Sequence, residues 1–530
     1  MGFNVIQFLT STRAGCQRFF PRHLLHRIAT LALVAFATLL TQTLYVPVVK
    51  AESGDRPNIL LILTDDQGWG TLGCYGGELV PTPNLDRLAA EGARFSDAYV
   101  TSQCTPTRAT LLTGQYTARH GLWHVLSWYG YPWARMTEPP FAENYSRQTF
   151  TIAKGLREAG YATGIMGKWH LTSNADGNYM GLKPSASQHY GFEFAPEVLT
   201  KDAFQAGADR GVDTLTSQAI DFIRRNRERP WFCFLSHHMI HGPVVAPESL
   251  VRKYREAGFG DEGPNRAVYL AGLEHIDHSI GRLMSALQEM DEADETLVIF
   301  LSDNGGIDQR YAFRDLPETH PPRPKFSPDL REYDNAPLRA GKGSCYEGGI
   351  RVPMIVRWPD HVPGGVVIDT PVHAVDILPT VFDLAGAASP ANHTLDGRSL
   401  RRLLTDGSDP SLESRSLFQY YPFYDLRWGL TPCASIRRGD YKLIEFFGDR
   451  VEADGRYIPG HRLELYHLRR DIGETENLAE CDPETAEHLR RLLRKWMEDL
   501  DARPSLQNPH HDPSRAFRET REKPEWLRHP

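Results

Sequence analysis

Cys104-Thr-Pro-Thr-Arg108-Ala-Thr-Leu-Leu-Thr-Gly114 is the stretch with the most chemical content. Pro106 falls in a first helical turn, and Ala109, Leu111 and Leu112 continue the helix to Gly114. A thiol and a guanidinium therefore stand near a helix start, where free N–H groups and the positive dipole end favour anions. Asp65-Asp66 and Asp303-Asn304 add three carboxylates and one amide. Oxygen donors of this kind suit Ca²⁺ or Mg²⁺ rather than zinc or copper. Adjacent aspartates at a strand end would also repel one another without a cation.

These groups need elements that bring them together. Asn58–Thr64 is a continuous apolar run, as in a strand covered on both faces, and it ends at Asp65. Tyr161–Met166 ends at Gly167-Lys168-Trp169-His170, and Trp231–Ser236 ends at His237, His238 and His241. Leu297–Leu301 ends just before Asp303-Asn304, and Pro353–Val356 reads as the last central strand. Helices are predicted from Thr82-Pro83 to Gly92, over Phe150–Glu158, and over Tyr269–Met290. Alternation of strands and helices predicts an α/β fold: a large, mainly parallel central sheet flanked by helices. Ligands of such sheets bind outside the carboxyl ends of the strands, where the polar clusters fall.

The pattern changes near residue 416. Ala434–Arg437, Tyr441–Phe446 and Arg462–Tyr466 read as antiparallel strands. Asp482-Pro483 caps a helix whose stripe of Ala486, Leu489, Leu492, Leu493, Trp496, Met497 and Leu500 should cover them. Residues 308–340 read as a long polar, Pro-rich surface loop, 386–416 as a connection, and the tail from Pro504 as extended chain. The expected division is an export signal over 1–51, a catalytic α/β domain over 52–415, and a smaller C-terminal antiparallel sheet packed by one helix over 416–530.

The lead carries Arg13, Arg18, Arg22 and Arg27, then an apolar run over 28–49 and Val49-Lys50-Ala51, which resembles a signal cleavage site. An uncleaved anchor is the alternative, and Pro47 and Gln42 weaken it. A secreted or periplasmic protein with no stable membrane span after cleavage is expected. The 41% hydrophobic and 24% charged content are those of a globular chain. The net charge of −8 gives no basic face for nucleic acid. Cys16 leaves with the signal and Cys104 is assigned above. Cys74, Cys233, Cys345, Cys433 and Cys481 remain; they allow a single bridge in an oxidising compartment, with no pairing readable.

Cys104-x-Pro106-x-Arg108 followed by Leu111-Leu112-Thr113-Gly114 resembles the signature of the type I sulfatases. Gly167–His170, Gly341-Lys342-Gly343-Ser344-Cys345 through Pro353, Asp396–Leu400 and Ile436–Leu443 are similar to the family in matching order. The resemblance implies sulfate monoester hydrolysis by a formylglycine made from Cys104, with a formylglycine-generating enzyme as maturation partner. It implies one calcium ion, magnesium being possible, on Asp65, Asp66, Asp303, Asn304 and residue 104. Arg108, Lys168 and Lys342 become the cations that meet the sulfuryl group. His241, which stands just before x-Pro in the family pattern, and Lys342 become donors to the leaving alcohol. His170 becomes the base that removes a proton from the second hydroxyl of the nucleophile and so expels sulfate. A serine ester would lack that internal exit.

The rivals are a phosphodiesterase or phosphonate hydrolase of the same fold and a non-catalytic sulfate-ligand binder. The substrate is expected to be a sulfated carbohydrate or small molecule, with an aryl sulfate less favoured. Trp123, Trp128, Tyr129 and Trp133, and Tyr420, Tyr421, Phe423, Tyr424 and Trp428, could stack on such a substrate or pack the core.

Overall fold

The computed structural model describes residues 56–126, 128–308, 331–452 and 456–525. The export signal read over 1–51 and the centre of the 308–340 loop lie outside the described residues.

The large sheet has eight strands: β1 (Asn58–Thr64), β2 (Ala93–Tyr99), β3 (Ala162–Gly167), β4 (Trp231–Ser236), β5 (Thr296–Ser302), β6 (Arg351–Arg357), β7 (Val366–Ile368) and β8 (Val372–His373). Their order is β8-β2-β6-β5-β1-β4-β3, with β7 also paired to β2. The sheet is mainly parallel, as expected. β6 alone runs against both neighbours, β2 and β5, a direction that its short apolar run does not encode.

β1 shows why the apolar runs are continuous. Ile59, Leu61 and Leu63 enter one core, while Leu60 and Ile62 enter the other. Every residue of the strand after Asn58 is buried. Side chains alternate across a strand, so a strand covered on both faces must be apolar at every position. The first core is completed by α2 (Cys104–Thr113), α3 (Ile152–Glu158) and α6 (Ile377–Ala385). The second is completed by α1 (Pro83–Ala90), α4 (Val212–Arg225) and α5 (Ala267–Glu289).

A four-stranded antiparallel sheet comes next: β9 (Ser416–Tyr421), β10 (Cys433–Arg438), β11 (Tyr441–Phe446) and β12 (Arg462–His467). α7 (Pro483–Asp499) covers it through buried Ala486, Leu489, Leu493 and Met497. Leu492, Trp496 and Leu500 are partly buried at its border, and Trp496 stacks on Phe418 with ring centroids 4.5 Å apart. Trp123, Tyr420, Tyr421, Phe423 and Tyr424 are buried in packing, while Trp128 and Trp428, also buried, line a large cavity.

Several expectations change. β6 is not the last strand of the large sheet, because β7 and β8 follow it and pair with β2. Residues 331–340 are not a surface loop, because Glu332, Tyr333, Asn335 and Leu338 are buried. The connection over 386–416 contains two short helices, Arg401–Asp406 and Pro410–Glu413. No bridge forms among the six described cysteines, all of which are free thiols.

A buried ion cluster ties the small sheet to the large one. Lys442 on β11 stands 3.0 Å from Glu347 and 2.8 Å from Glu474. Glu347 also accepts from Tyr99 on β2, at 2.6 Å. Burial, and then the charge of Glu347, outweigh Lys442 at Glu474 and push its carboxyl up from 4.5 to about 7. Removing the lysine leaves two carboxylates in a dry site. Lys442→Met is therefore expected to cost roughly 3–5 kcal/mol at neutral pH. The folded chain then holds protons that the unfolded chain releases, so the loss is least below the ordinary value of 4.5 and grows as pH rises above it. Denaturant unfolding at about pH 5 and pH 8 checks this, and an equal small loss at both contradicts it.

Candidate active site

Adjacent parallel strands deliver the carboxylates. β1 and β5 pair in register from Asn58 with Thr296 to Thr64 with Ser302, so Asp65-Asp66 and Asp303-Asn304 leave the sheet side by side. The Asp303 N–H donates to the Thr64 carbonyl at 3.0 Å, and the Asp66 N–H to Asp303 Oδ1 at 3.3 Å. β3 delivers Lys168 and His170, β4 leads to His241, and α2 begins at Cys104. Asp66 and His170 have positive φ angles, 61° and 53°. That region is costly for residues other than glycine, and such residues concentrate at functional sites.

Three cations meet three carboxylates. Arg108 contacts Asp303 at 2.6 Å, Lys168 contacts Asp65 at 2.5 Å, and Lys342 contacts Asp66 at 2.6 Å. Asp65, Asp66, Asp303 and Lys168 are wholly buried, and Arg108 is 1% exposed. Arg108 also donates to Ser236 Oγ at 2.5 Å and to the Lys168 carbonyl at 3.2 Å, so one side chain touches the ends of β3, β4 and β5. Although burial opposes it, Lys168, His241 and Arg108 hold the Asp65 carboxyl well below its usual value. Burial and then the charge of Asp65 push Asp303 up to about 7.

Asp65 Oδ1 and Asn304 Oδ1 are buried with no hydrogen-bond partner among the described residues. An orphaned carboxylate oxygen and an orphaned amide oxygen beside two further carboxylates fit a hard divalent cation. The group Asp65, Cys104 and Asp303 and the group Asp65, Asp66 and His241 each bring three ligand atoms within 4.8 Å of one another.

Cys104 Sγ is 3.4 Å from His170 Nδ1, and Thr105 Oγ1 donates to the His170 carbonyl at 2.9 Å. Burial pushes the Cys104 thiol up, and an un-ionised thiol is a weak nucleophile. His241 Nε2 lies 3.9 Å from Asp66 Oδ2, while its Nδ1 meets the Gly242 carbonyl. His238 turns to the Met180 carbonyl, and neither ring nitrogen of His237 has a hydrogen-bond partner among the described residues. Trp169 packs in the first core, 1% exposed. Cys104, His170, His241 and Lys342 line one cavity of about 1080 Å³.

Residues that carry no readable motif complete the site. Arg210 is buried and donates to the His238 carbonyl at 3.0 Å and to the Pro243 carbonyl and the Tyr179 hydroxyl, which fixes the loop of His241. Lys168 Nζ stands 4.9 Å from the Tyr179 ring centroid. Gly343, at φ 80°, sits against Trp428: a Cβ there would come within 2.3 Å of the indole. The Lys342 loop is pressed between that indole and the sheet, and the Gly343 N–H donates to the Ser102 carbonyl at 2.7 Å. The glycine itself, beside the lysine, is the only trace of this arrangement in the sequence.

Comparisons with known proteins agree on one family. Residues 57–387 match the sulfatase family model, and residues 341–503 match the model for the C-terminal part of N-sulphoglucosamine sulphohydrolase. Arylsulfatase A of Homo sapiens is 32% identical over 485 residues, spanning 82% of this chain and 87% of that protein. N-acetylgalactosamine-6-sulfatase of Homo sapiens is 30% identical over 485 residues, spanning 82% of this chain and 84% of that protein. The crystal structure of Ps i-CgsB in complex with k-i-k-neocarrahexaose superposes with a TM-score of 0.65 at 26% identity, covering 86% of this chain and 94% of that one. A phosphonate monoester hydrolase of Agrobacterium radiobacter shares the fold, with a TM-score of 0.58 at 22% identity over 84% of this chain and 96% of that one. With the matched model spanning the whole α/β sheet and its polar edge, the chain belongs to the type I sulfatase family of the alkaline phosphatase superfamily and is a sulfuric ester hydrolase.

Proposed function

We propose that the chain hydrolyses sulfate monoesters of carbohydrates at the cavity over Cys104. The observation that carries this is the convergence of Cys104, three buried carboxylates and three cations on the carboxyl edge of the sheet. The cavity measures about 1080 Å³, and similar proteins are named for carbohydrate sulfates or for a bound oligosaccharide. The fold likeness to a phosphonate monoester hydrolase keeps that chemistry as the second reading.

In this reading a formylglycine-generating enzyme converts Cys104 to formylglycine, whose hydrated aldehyde supplies a nucleophile with a second hydroxyl for release of sulfate. Asp65, Asp66, Asp303, Asn304 and residue 104 would hold calcium, or magnesium, which when bound supplies Lewis-acid stabilisation of the sulfuryl oxygens. The chain's own cations do the rest of the charge work. Arg108 and Lys168 are fixed beside residue 104 and present preorganised positive charge to the sulfuryl group. Lys342 and His241 share the cavity wall and can give a proton to the leaving oxygen. His170, with Nδ1 3.4 Å from Sγ of residue 104, is placed to take a proton there. Residues 52–415 form the catalytic part and 416–530 the C-terminal part. The lead over 1–51 is assigned to export, giving a secreted or periplasmic enzyme. Among the described residues no helix is long and apolar enough to cross a membrane.

Exhaustive chelation should abolish turnover and lower the unfolding temperature, and calcium should restore both better than zinc, at about one ion per chain. Full activity in a chain with no detectable metal contradicts the assignment.

Lys342 should matter most as the S–O bond breaks. Lys342→Ala is expected to lower kcat by roughly 10²-fold or more. The loss should be smaller for esters with acidic leaving groups, which need less help from a proton donor. Rates on two aryl sulfates of different leaving-group acidity test this, and an unchanged kcat on both removes Lys342 from the mechanism.

A further inference from the structure

Gln103 immediately precedes the residue at the centre of the site and lines the same cavity. It is 1% exposed. Its amide nitrogen donates to Asp425 Oδ2 at 2.8 Å. Asp425 in turn accepts two hydrogen bonds from Arg427, both at 2.7 Å. A carboxylate held by a guanidinium only accepts, so the NH₂ end of Gln103 must face it. The orientation of the amide is thereby decided by chemistry, and Oε1 points the other way. That oxygen is buried and has no donor among the described residues. A buried amide acceptor without a partner is costly, and a ligand donor is one way to satisfy it.

The chain of contacts continues outward. Arg427 stands 3.6 Å from Glu519 and lies over the Trp128 ring at 4.5 Å. Glu519 is fixed because its neighbour Thr520 exchanges backbone hydrogen bonds with the segment after Trp128. The Thr520 N–H donates to the Gly130 carbonyl at 3.0 Å, and the Tyr129 N–H to the Thr520 carbonyl at 3.1 Å. The C-terminal tail therefore lies across the aromatic-rich insertion and braces Arg427, which sets Asp425 and through it Gln103.

We propose that Gln103 is a specificity residue for the sulfatase reaction: Oε1 accepts a hydrogen bond from a substrate hydroxyl next to the sulfated carbon. Asp425 and Arg427 are positioning residues for it. The substrate class is then a sulfate ester with a free vicinal hydroxyl, as sugars commonly have. This rests on the catalytic reading of the Cys104 site given above.

Two chromogenic esters separate the parts. 4-Nitrocatechol sulfate carries a hydroxyl beside the ester, and 4-nitrophenyl sulfate lacks it. The measured quantity is the ratio of their kcat/KM values, compared between wild type and variant, which cancels the difference in leaving group. Gln103→Leu is expected to lower the ratio at least about tenfold, since a site built to bond a hydroxyl discriminates strongly against its absence. Gln103→Met, of similar length and without a hydrogen-bonding group, decides the matter if Gln103→Leu yields no active protein. Asp425→Asn lies outside the Cys104 motif and frees the amide to turn; it should lower the ratio by less, because a turned NH₂ still donates to the hydroxyl oxygen. A ratio within about twofold of wild type in the active Gln103 variants overturns the proposal, whatever happens to the separate rates. Wild-type protein inactive on every sulfate ester would instead overturn the catalytic reading itself.

Discussion

Six charges buried at one sheet edge are the constraint from which the structure is built. An unpaired ion in such a place is far more costly than a pair, so each carboxylate must meet its cation with good geometry. Asp65, Asp66 and Asp303 come from two strands, while Lys168, Lys342 and Arg108 come from a third strand, a glycine-rich loop and a helix start. No local segment can satisfy itself. The charges are compatible with folding only when β1, β3, β5 and α2 are all in place, and Arg108 alone touches three strand ends. The same requirement prepares the chemistry: cations already desolvated and fixed need little reorganisation when negative charge arrives.

Around this cluster the structure adds stiff supports. Arg210 clamps three carbonyl and hydroxyl oxygens behind the His241 loop. Trp428 fills the place where a side chain at residue 343 would stand, which keeps Lys342 directed at Asp66. Lys442 and Glu347 fasten the small sheet to the strand of Tyr99. The C-terminal sheet is therefore part of the site's frame, and its loops and tail close one side of the cavity.

Much of this is legible in the sequence because buried strands advertise themselves. β1, β4 and β5 are unbroken apolar runs, and the residues just beyond each are too polar for a core, so the edge bearing the chemistry can be read from strand ends. The stripe on α7 is equally plain. β2 escapes such a reading: Ala-Arg-Phe-Ser-Asp-Ala-Tyr mixes polar and apolar residues because it packs beside the buried ion cluster of Asp97 and Tyr99. The antiparallel sense of β6 lies in its pairing with β2 and β5, distant in sequence, which periodicity does not record. Gln103 and Arg210 act through contacts 322 and 28 residues away in sequence, and nothing in their own neighbourhoods marks them. The tail after Pro504 reads as extended, but it runs through successive turns, with the N–H groups of His511, Arg515 and Arg518 donating to the carbonyls of Asn508, Asp512 and Arg515; these turns and its docking against Trp133 and Gly130 depend on backbone groups that composition cannot show.

The chemical state of residue 104 is the point on which the catalytic reading turns. Mass analysis of the tryptic peptide containing Cys104, taken from protein preparations of differing specific activity, addresses it directly. The expected result is an aldehyde in place of the thiol, with the converted fraction rising in proportion to sulfatase activity. Full activity in a preparation whose residue 104 is entirely an alkylatable thiol would contradict it.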